Sequence, residues 1–306
     1  MRTFKHAAAL LALTLCIGSA PAQQRVEQVQ QGGQVVQDGI VVQPLSRTRS
    51  LAKRLISPEQ VEQQASQQYV AMLSQAKEQG ALYPATHPQV NRLRNIARRI
   101  IPHSTRWNAD AQNWKWQVNL FNSDQVNAFC LPGGRIGFYS GIISKLHLTD
   151  DEIAAIMGHE VAHALREHGR ERAGKAAATG LLARLGGAAA SVLLGVDPNI
   201  TGGFANAAGQ LAVLKFSRDE EREADLIGLD IAARAGYDPR AGIALWRKMA
   251  SLDERGAPIQ LLSTHPGGED RIAIIQDHMN VLLPVYARAK GTTVARLPAY
   301  RTTAIR

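Results

Sequence analysis

The stretch Thr149 to Gly169, TDDEIAAIMGHEVAHALREHG, constrains this chain more than any other. Read as a helix, it places His159 and His163 four residues apart on one face, about one turn from each other. Two neutral imidazoles at that spacing can grip one zinc ion, with Glu160 beside the metal to take a proton from bound water. The helix has independent support. Thr149 followed by Glu152 makes a capping box, and Asp150, Asp151 and Glu152 put negative charge at the positive end of the helix dipole. Ile153, Ile156, Met157 and Val161 recur at helical spacing and predict a buried face.

Two ligands do not make a catalytic zinc site, which takes three from the protein and leaves a fourth position for water. His168 lies on the same stretch, but a continuous helix turns it well away from the His159/His163 face. It reads as a surface residue or one that supports a ligand. The three-histidine extension of the motif fails, because Arg166 stands at its glycine position and Gly169 at its last histidine. The run Glu221-Arg222-Glu223-Ala224-Asp225 is the better source. Glu221 and Asp225 sit one turn apart on a helix opened by Ser217. One carboxylate can bind metal while the other accepts a hydrogen bond from a ligating histidine. Spacing does not choose among Glu220, Glu221 and Glu223, and a negative helix start suits the dipole in any case.

Of the 306 residues, 45% are hydrophobic, which fits a soluble globular protein of one large domain or two small ones. Arg2 and Lys5, the apolar run Ala7 to Ile17 and Ala20-Pro21-Ala22 make residues 1–22 an expected export signal. Removing its two basic residues takes the net charge from +9 to +7. The remaining basic residues are scattered and no nucleic-acid motif accompanies them, so nucleic acid is not an expected partner. Leu15 is too large to precede a lipidated Cys16. Without Cys16 only Cys130 remains, so no intramolecular disulfide is expected. No later segment has the roughly 18 uninterrupted apolar residues of a membrane span.

Residues 23–57 are expected to form a flexible leader, rich in Gln, Gly and Val up to Ser46. Helices are predicted over Pro58–Gln79 and Pro88–Ile101, and strands over Trp114–Phe121, Val126–Leu131 and Arg135–Ser140. Pro132-Gly133-Gly134 is a turn signal between the last two. An exposed strand edge beside the zinc helix can pair with an extended peptide through main-chain bonds. Ala173 to Leu214, rich in Ala, Gly and Leu, reads as small-residue helices beside the site, a mobile lid or a membrane-touching surface. Further helices are predicted from Ser217 to Ala235, Pro239 to Leu252 and Glu269 to Leu282, with a loop at Ser263–Gly268. Residues 284–306 read as a basic tail.

Four motifs occur in order: NAFCLPGGRIGFYSG at 127–141, HEVAH at 159–163, SRDEEREAD at 217–225 and STHPGGEDRI at 263–272. In this combination the chain resembles the HtpX/BepA/LoiP-type zinc metallopeptidases of family M48, gluzincins related to the CAAX prenyl proteases, over about Pro58 to Leu283. The resemblance implies an α+β fold: a mostly helical gluzincin metallopeptidase domain over 58–283, with a small antiparallel sheet packed beside the zinc helix. It implies one Zn²⁺ per chain held by His159, His163 and Glu221, with Glu160 as general base and Asp225 bonded to a ligating histidine. Asn127, Ala128 and Phe129 are then the edge strand that binds substrate. His265 has three readings: a donor to the oxyanion, an occupant of the open metal position that keeps the site latent, or a loop histidine that binds nothing. Arg271 is expected to orient that loop.

The implied function is an endopeptidase of the periplasm of a Gram-negative bacterium, acting on unfolded or misassembled envelope proteins. Peripheral contact with membrane or with outer-membrane assembly machinery is the further expectation. Residues 284–306 are too short for the tetratricopeptide repeats that some members carry. The alternative is a proteolytically silent periplasmic chaperone or binding protein with a metal site, against which the intact Glu160 argues.

Overall fold

The computed structural model describes residues 28–31, 34–42, 47–178, 215–256, 258–267 and 269–305. In chain order its elements are strands β1 (Gln28–Gln31) and β2 (Gln34–Gln37), and helices α1 (Arg47–Arg54), α2 (Pro58–Glu78) and α3 (Pro88–Ile100). Strands β3 (Gln117–Phe121), β4 (Ala128–Leu131) and β5 (Arg135–Tyr139) follow, then helices α4 (Ser140–Lys145), α5 (Asp150–Leu165) and α6 (His168–Ala178). The chain closes with α7 (Arg218–Arg234), α8 (Ala241–Glu254), α9 (Gln260–Thr264), α10 (Glu269–Asp277) and α11 (Met279–Ala289). The architecture is mostly helical α+β. Among the described residues no helix is long and apolar enough to cross a membrane.

Local chemistry starts the helices where the sequence says. Ser57 and Gln60, Thr149 and Glu152, and Ser217 and Glu220 each form a reciprocal capping box, on α2, α5 and α7. β4 and β5 pair antiparallel across the Pro132-Gly133-Gly134 turn. Gly134 adopts φ +82°, and a Cβ there would come within 2.7 Å of the Trp116 ring, so only glycine fits. The sheet is mixed rather than antiparallel, because β3 takes the other side of β5 and runs parallel to it, giving the order β3-β5-β4. The hairpin fixes one orientation, while the segment from Asn122 to Asn127 carries the chain past β5 to the far edge.

Strand alternation then sorts the sheet's two faces. Phe121, Phe129, Leu131 and Tyr139 pack on Val61, Ala65, Tyr69 and Met72 of α2. Val118, Leu120, Ala128, Cys130, Ile136 and Phe138 pack toward α3 and α5. The result is three layers with the sheet in the middle, and each fully buried Leu, Ile or Phe side chain among them contributes about 1.5–3 kcal/mol.

Helix α5 is buried almost all round and packs most extensively on α7. The two cross where Gly158 faces Gly228. A Cβ on Gly158 would lie 2.4 Å from the Gly228 carbonyl oxygen, and one on Gly228 would lie 2.5 Å from the His159 nitrogen. Backbone therefore touches backbone one residue from the first histidine.

The expected continuous helix to Gly169 breaks. α5 ends at Leu165, Glu167 takes a left-handed φ of 56°, and α6 begins at His168. The Glu167 N–H bonds the Ala164 carbonyl at 3.0 Å, a helix-ending arrangement that redirects the chain. The helix expected over Glu269–Leu282 divides at His278 into α10 and α11.

Both expected domain edges fall inside packed structure. In the stretch read as a leader, Ile40 is buried, its N–H donates to buried Asp230 at 3.1 Å, and α1 packs on α6. A buried carboxylate requires donors, and the leader supplies one. The boundary at 283 lies within α11, where Val285 and Ala287 are buried. Beyond it Thr302 and Thr303 bond Glu152 and Lys248, so the region read as a tail is tied to the start of α5. The expected export signal and most of the segment Ala173–Leu214 lie outside the described residues.

Candidate metal centre

Helix α5 supplies His159, Glu160 and His163, α7 supplies Glu221 and Asp225, and His265 follows directly on the short helix α9. All are buried. Ligand-type atoms of His159, His163, Glu221 and His265 lie within 4.8 Å of one another. His163 Nε2 is 3.1 Å from His159 Nε2, and Glu221 oxygens lie 3.5 and 3.6 Å from those two nitrogens. His265 Nδ1 lies 3.2 Å from His159 Nε2 and 3.0 Å from Glu221 Oε1. Ligands at about 2.0–2.1 Å around a tetrahedral zinc stand about 3.3 Å apart, and the separations of 3.0 to 3.6 Å among these groups are close to that spacing.

The protons support the same reading. His159 Nδ1 lies 3.0 Å from Asp225 Oδ1. An ionised carboxylate only accepts, so Nδ1 holds a proton; against burial, Asp225 and Glu221 favour a second proton on the ring, and a bound metal would take that proton's place at Nε2. Lone pairs gathered around one point repel unless a cation stands there. The donor set therefore fits a zinc ion, with two imidazoles and a carboxylate from the expected residues and a third imidazole at the fourth corner.

Around this set, Arg271 holds Asp225 with two bonds of 2.6 and 2.7 Å and reaches Glu221 Oε2 at 2.5 Å. The same guanidinium donates to the Pro266 carbonyl at 3.2 Å and stacks on Trp246. It thus grips the His265 loop as well as two carboxylates. Burial would raise the Asp225 carboxyl, but Arg271 and the bond from His159 hold it below the usual range. Burial likewise opposes ionisation of Glu221, and His265, Arg271 and His163 keep it well below. Burial pushes His163 well down, toward the neutral form a metal requires.

Glu160 sits apart from these bonds. Its Oε1 has no hydrogen-bond partner and lies 3.7 Å from His265 Nε2. Burial pushes its carboxyl up, against the pull of His265 and His159. Two small cavities of about 20 Å³ flank it. One is lined by Ile156, Trp246, Met249 and Leu261, the other by Phe129, Cys130, Phe216 and His265. Phe216 lies over the centre, its ring 3.9 Å from that of His163 and 4.8 Å from that of His265, with the Arg172 guanidinium 3.6 Å away. Its N–H bonds the Thr264 carbonyl at 3.0 Å, which couples it to the His265 loop.

β4 is an edge strand. The Tyr139 N–H bonds the Asn127 carbonyl, so the residues at 127, 129 and 131 direct their main-chain groups to β5. Ala128 and Cys130 direct theirs to the open edge, with the Ala128 N–H taken by the Asn127 side chain at 3.0 Å. Of the three expected substrate-strand residues, only Ala128 faces outward. Asn127 and Phe129 do not, and Cys130, which was not among them, does. The parity of β4, counted back from the Pro132 turn, is the signal that finds Cys130. Phe216 carries a signal too, being an apolar residue directly before the N-cap Ser217.

His168 is not at the surface. It is fully buried, with Nδ1 2.9 Å from His163 Nδ1 and Nε2 3.0 Å from Glu223 Oε2. Burial would raise the Glu223 carboxyl, but the bond from His168 and the charge of Arg166 pull it to about 2.

The family model described as Peptidase family M48 matches residues 98–279, more than half of the chain. The Mitochondrial metalloendopeptidase OMA1 of Schizosaccharomyces pombe is 31% identical over 205 residues, 64% of this chain and 55% of that protein. Its namesake in Arabidopsis thaliana is 37% identical over 52% of this chain and 31% of its own length. The Beta-barrel assembly-enhancing protease of Escherichia coli is 25% identical over 64% of this chain and 40% of its own length. The match thus spans about a third to a little over half of these relatives. Family match, motif order and donor geometry agree: the chain belongs to peptidase family M48.

Proposed function

We propose that this chain is a zinc-dependent endopeptidase that hydrolyses peptide bonds of unfolded or misassembled cell-envelope proteins. The observation that carries the reading is the convergence of His159 Nε2, His163 Nε2 and Glu221 beside Glu160, whose Oε1 has no hydrogen-bond partner. His159, His163 and Glu221 would hold the metal, which when bound polarises the scissile carbonyl and makes a water acidic enough to give up a proton near neutral pH. Glu160 accepts that proton and hands it to the leaving amine nitrogen. Asp225 keeps the proton on His159 Nδ1, and Arg271 holds Asp225 and Glu221 in place.

His265 Nδ1 stands at the fourth corner, where water must come. In this arrangement the loop closes the site, and His265 has to swing out before hydrolysis. The outer edge of β4 at Ala128 and Cys130 suits an extended peptide added as a further strand, once the Asn127 side chain releases the Ala128 N–H. Folded proteins keep their main-chain groups paired, so such an edge favours unfolded chains.

The export signal expected at 1–22 supports a periplasmic location. Likeness to a protein named for β-barrel assembly supports contact with outer-membrane assembly machinery, and other relatives are named as mitochondrial. One observation favours the silent alternative: a fourth protein ligand is the mark of a structural zinc site. The test is digestion of casein by the mature protein carrying one zinc. The expected result is cleavage by the wild type and none by Glu160→Gln with zinc retained. A zinc-loaded wild type that leaves casein intact would favour the silent reading.

A further inference from the structure

We propose that His168 and Glu223 are positioning residues for the metal: they present the His163 lone pair to it, and helix α1 braces them through Arg49. The inference rests on the zinc reading above and extends it to residues that touch no substrate.

The argument is a count of protons. His163 Nε2 belongs to the ligand cluster and must carry a lone pair there. A neutral imidazole has one N–H, so the proton of His163 is on Nδ1. Only 2.9 Å away stands His168 Nδ1, which must therefore accept. That leaves the His168 proton on Nε2, 3.0 Å from Glu223 Oε2, a carboxylate that can only accept. Every proton in the row Glu223, His168, His163 is thus placed by its neighbours. Reversing the order would put a proton on His163 Nε2 and remove it as a ligand.

The carboxylate is itself held from two sides. Arg166 bonds Glu223 Oε1 through Nε at 2.8 Å and Nη2 at 2.6 Å. Arg49 of α1 bonds Oε2 at 3.1 Å and, through Nε, Glu171 at 2.6 Å. The His159 side has the shorter form of the same device, Asp225 gripped by Arg271. Here an imidazole is interposed, and it arrives through the left-handed turn at Glu167. A glutamate at positive φ is uncommon, and such a backbone persists only when its surroundings demand it. What the turn achieves is His168 in contact with His163.

The test is zinc affinity, measured by chelator competition on the folded full chain, so no turnover is needed. His168→Ala and Glu223→Gln are expected to weaken zinc binding by about 10- to 100-fold, the usual effect of losing such a support. Arg49→Met is expected to weaken it alone but to add nothing in the His168→Ala background, because the row is already cut. Nitrogen NMR of the zinc-loaded wild type should show His163 protonated on Nδ1 and His168 on Nε2. A histidine that only fills the core would lower the melting temperature of the metal-free protein and leave zinc affinity within about twofold. That result, with the wild type binding zinc tightly, overturns this inference alone. If His168→Ala does not fold, Glu223→Gln and Arg49→Met carry the same test. A folded wild type that binds no zinc overturns the proposed function and this inference together.

Discussion

The Nδ1 atom of His265 lies 3.0 Å from Oε1 of Glu221, as close to that carboxylate as the structure brings any histidine of the cluster. In the proposed reading a loop histidine has thereby entered the ligand set. Removing it opens the corner it fills. When the open state is a minority of about 1–10%, His265→Ala should raise the rate of hydrolysis of an unfolded substrate by about 10- to 100-fold. Steady-state kinetics on a fluorogenic casein would show this. A fall of about 100- to 1000-fold would instead make His265 a donor to the oxyanion and sink its role as a gate.

Gly228→Ala should damage the centre without altering a ligand. Its Cβ would meet the His159 nitrogen at 2.5 Å, a backbone atom that cannot rotate aside. The helices must separate, which should destabilise the fold by about 1–3 kcal/mol. Urea titration should show the loss, and zinc affinity should fall with it.

Lys248→Met separates stability from chemistry. Lys248 bonds Glu152 at 2.8 Å, and both side chains are buried at the far end of α5 from the histidines. Removing one partner of such a pair costs about 3–5 kcal/mol, because the other charge is left buried and uncompensated. The denaturation midpoint should drop. Zinc affinity of the protein that remains folded should not change.

Acid should loosen α1 before the metal centre is considered. Burial would raise the Glu171 carboxyl, but Lys175 and Arg49 hold it below its ordinary value of 4.5. The unfolded chain therefore binds the proton first as pH falls. Stability from this group is complete above about pH 4.5 and drains away below it, until the folded pKa is passed. Glu171→Gln should flatten the slope of unfolding free energy against pH in that window, measured on the metal-free protein. An unchanged slope would remove Glu171 from the account.

Much of the site is legible in sequence because helices translate spacing into direction. HEVAH fixes the placement of His159, Glu160 and His163 at one site, and the pair Glu221 and Asp225 follows from the same periodicity. The family motifs then choose Glu221 from its neighbours. His168 was legible only as one of two readings, at the surface or supporting a ligand, because its place depends on a left-handed Glu167 that no local propensity announces. The mixed sheet was missed because hairpin signals order β4 and β5 but say nothing about which side β3 joins. The leader and tail were misjudged for a related reason. Ile40, Arg49 and Thr303 are held by partners 55 to 190 positions away in the chain, and composition alone does not report such bonds.

The crossing at Gly158 and Gly228 has one more implication. The two halves of the ligand set ride on separate helices whose separation is already the least that two backbones allow. Any other residue at the crossing pushes them apart, and none draws them closer. Selection for tighter or weaker metal binding therefore has little to adjust at the helix contact. The adjustable parts are the outer carboxylates, Asp225 on one side and Glu223 on the other, and it is there that variation in affinity among chains of this build should accumulate.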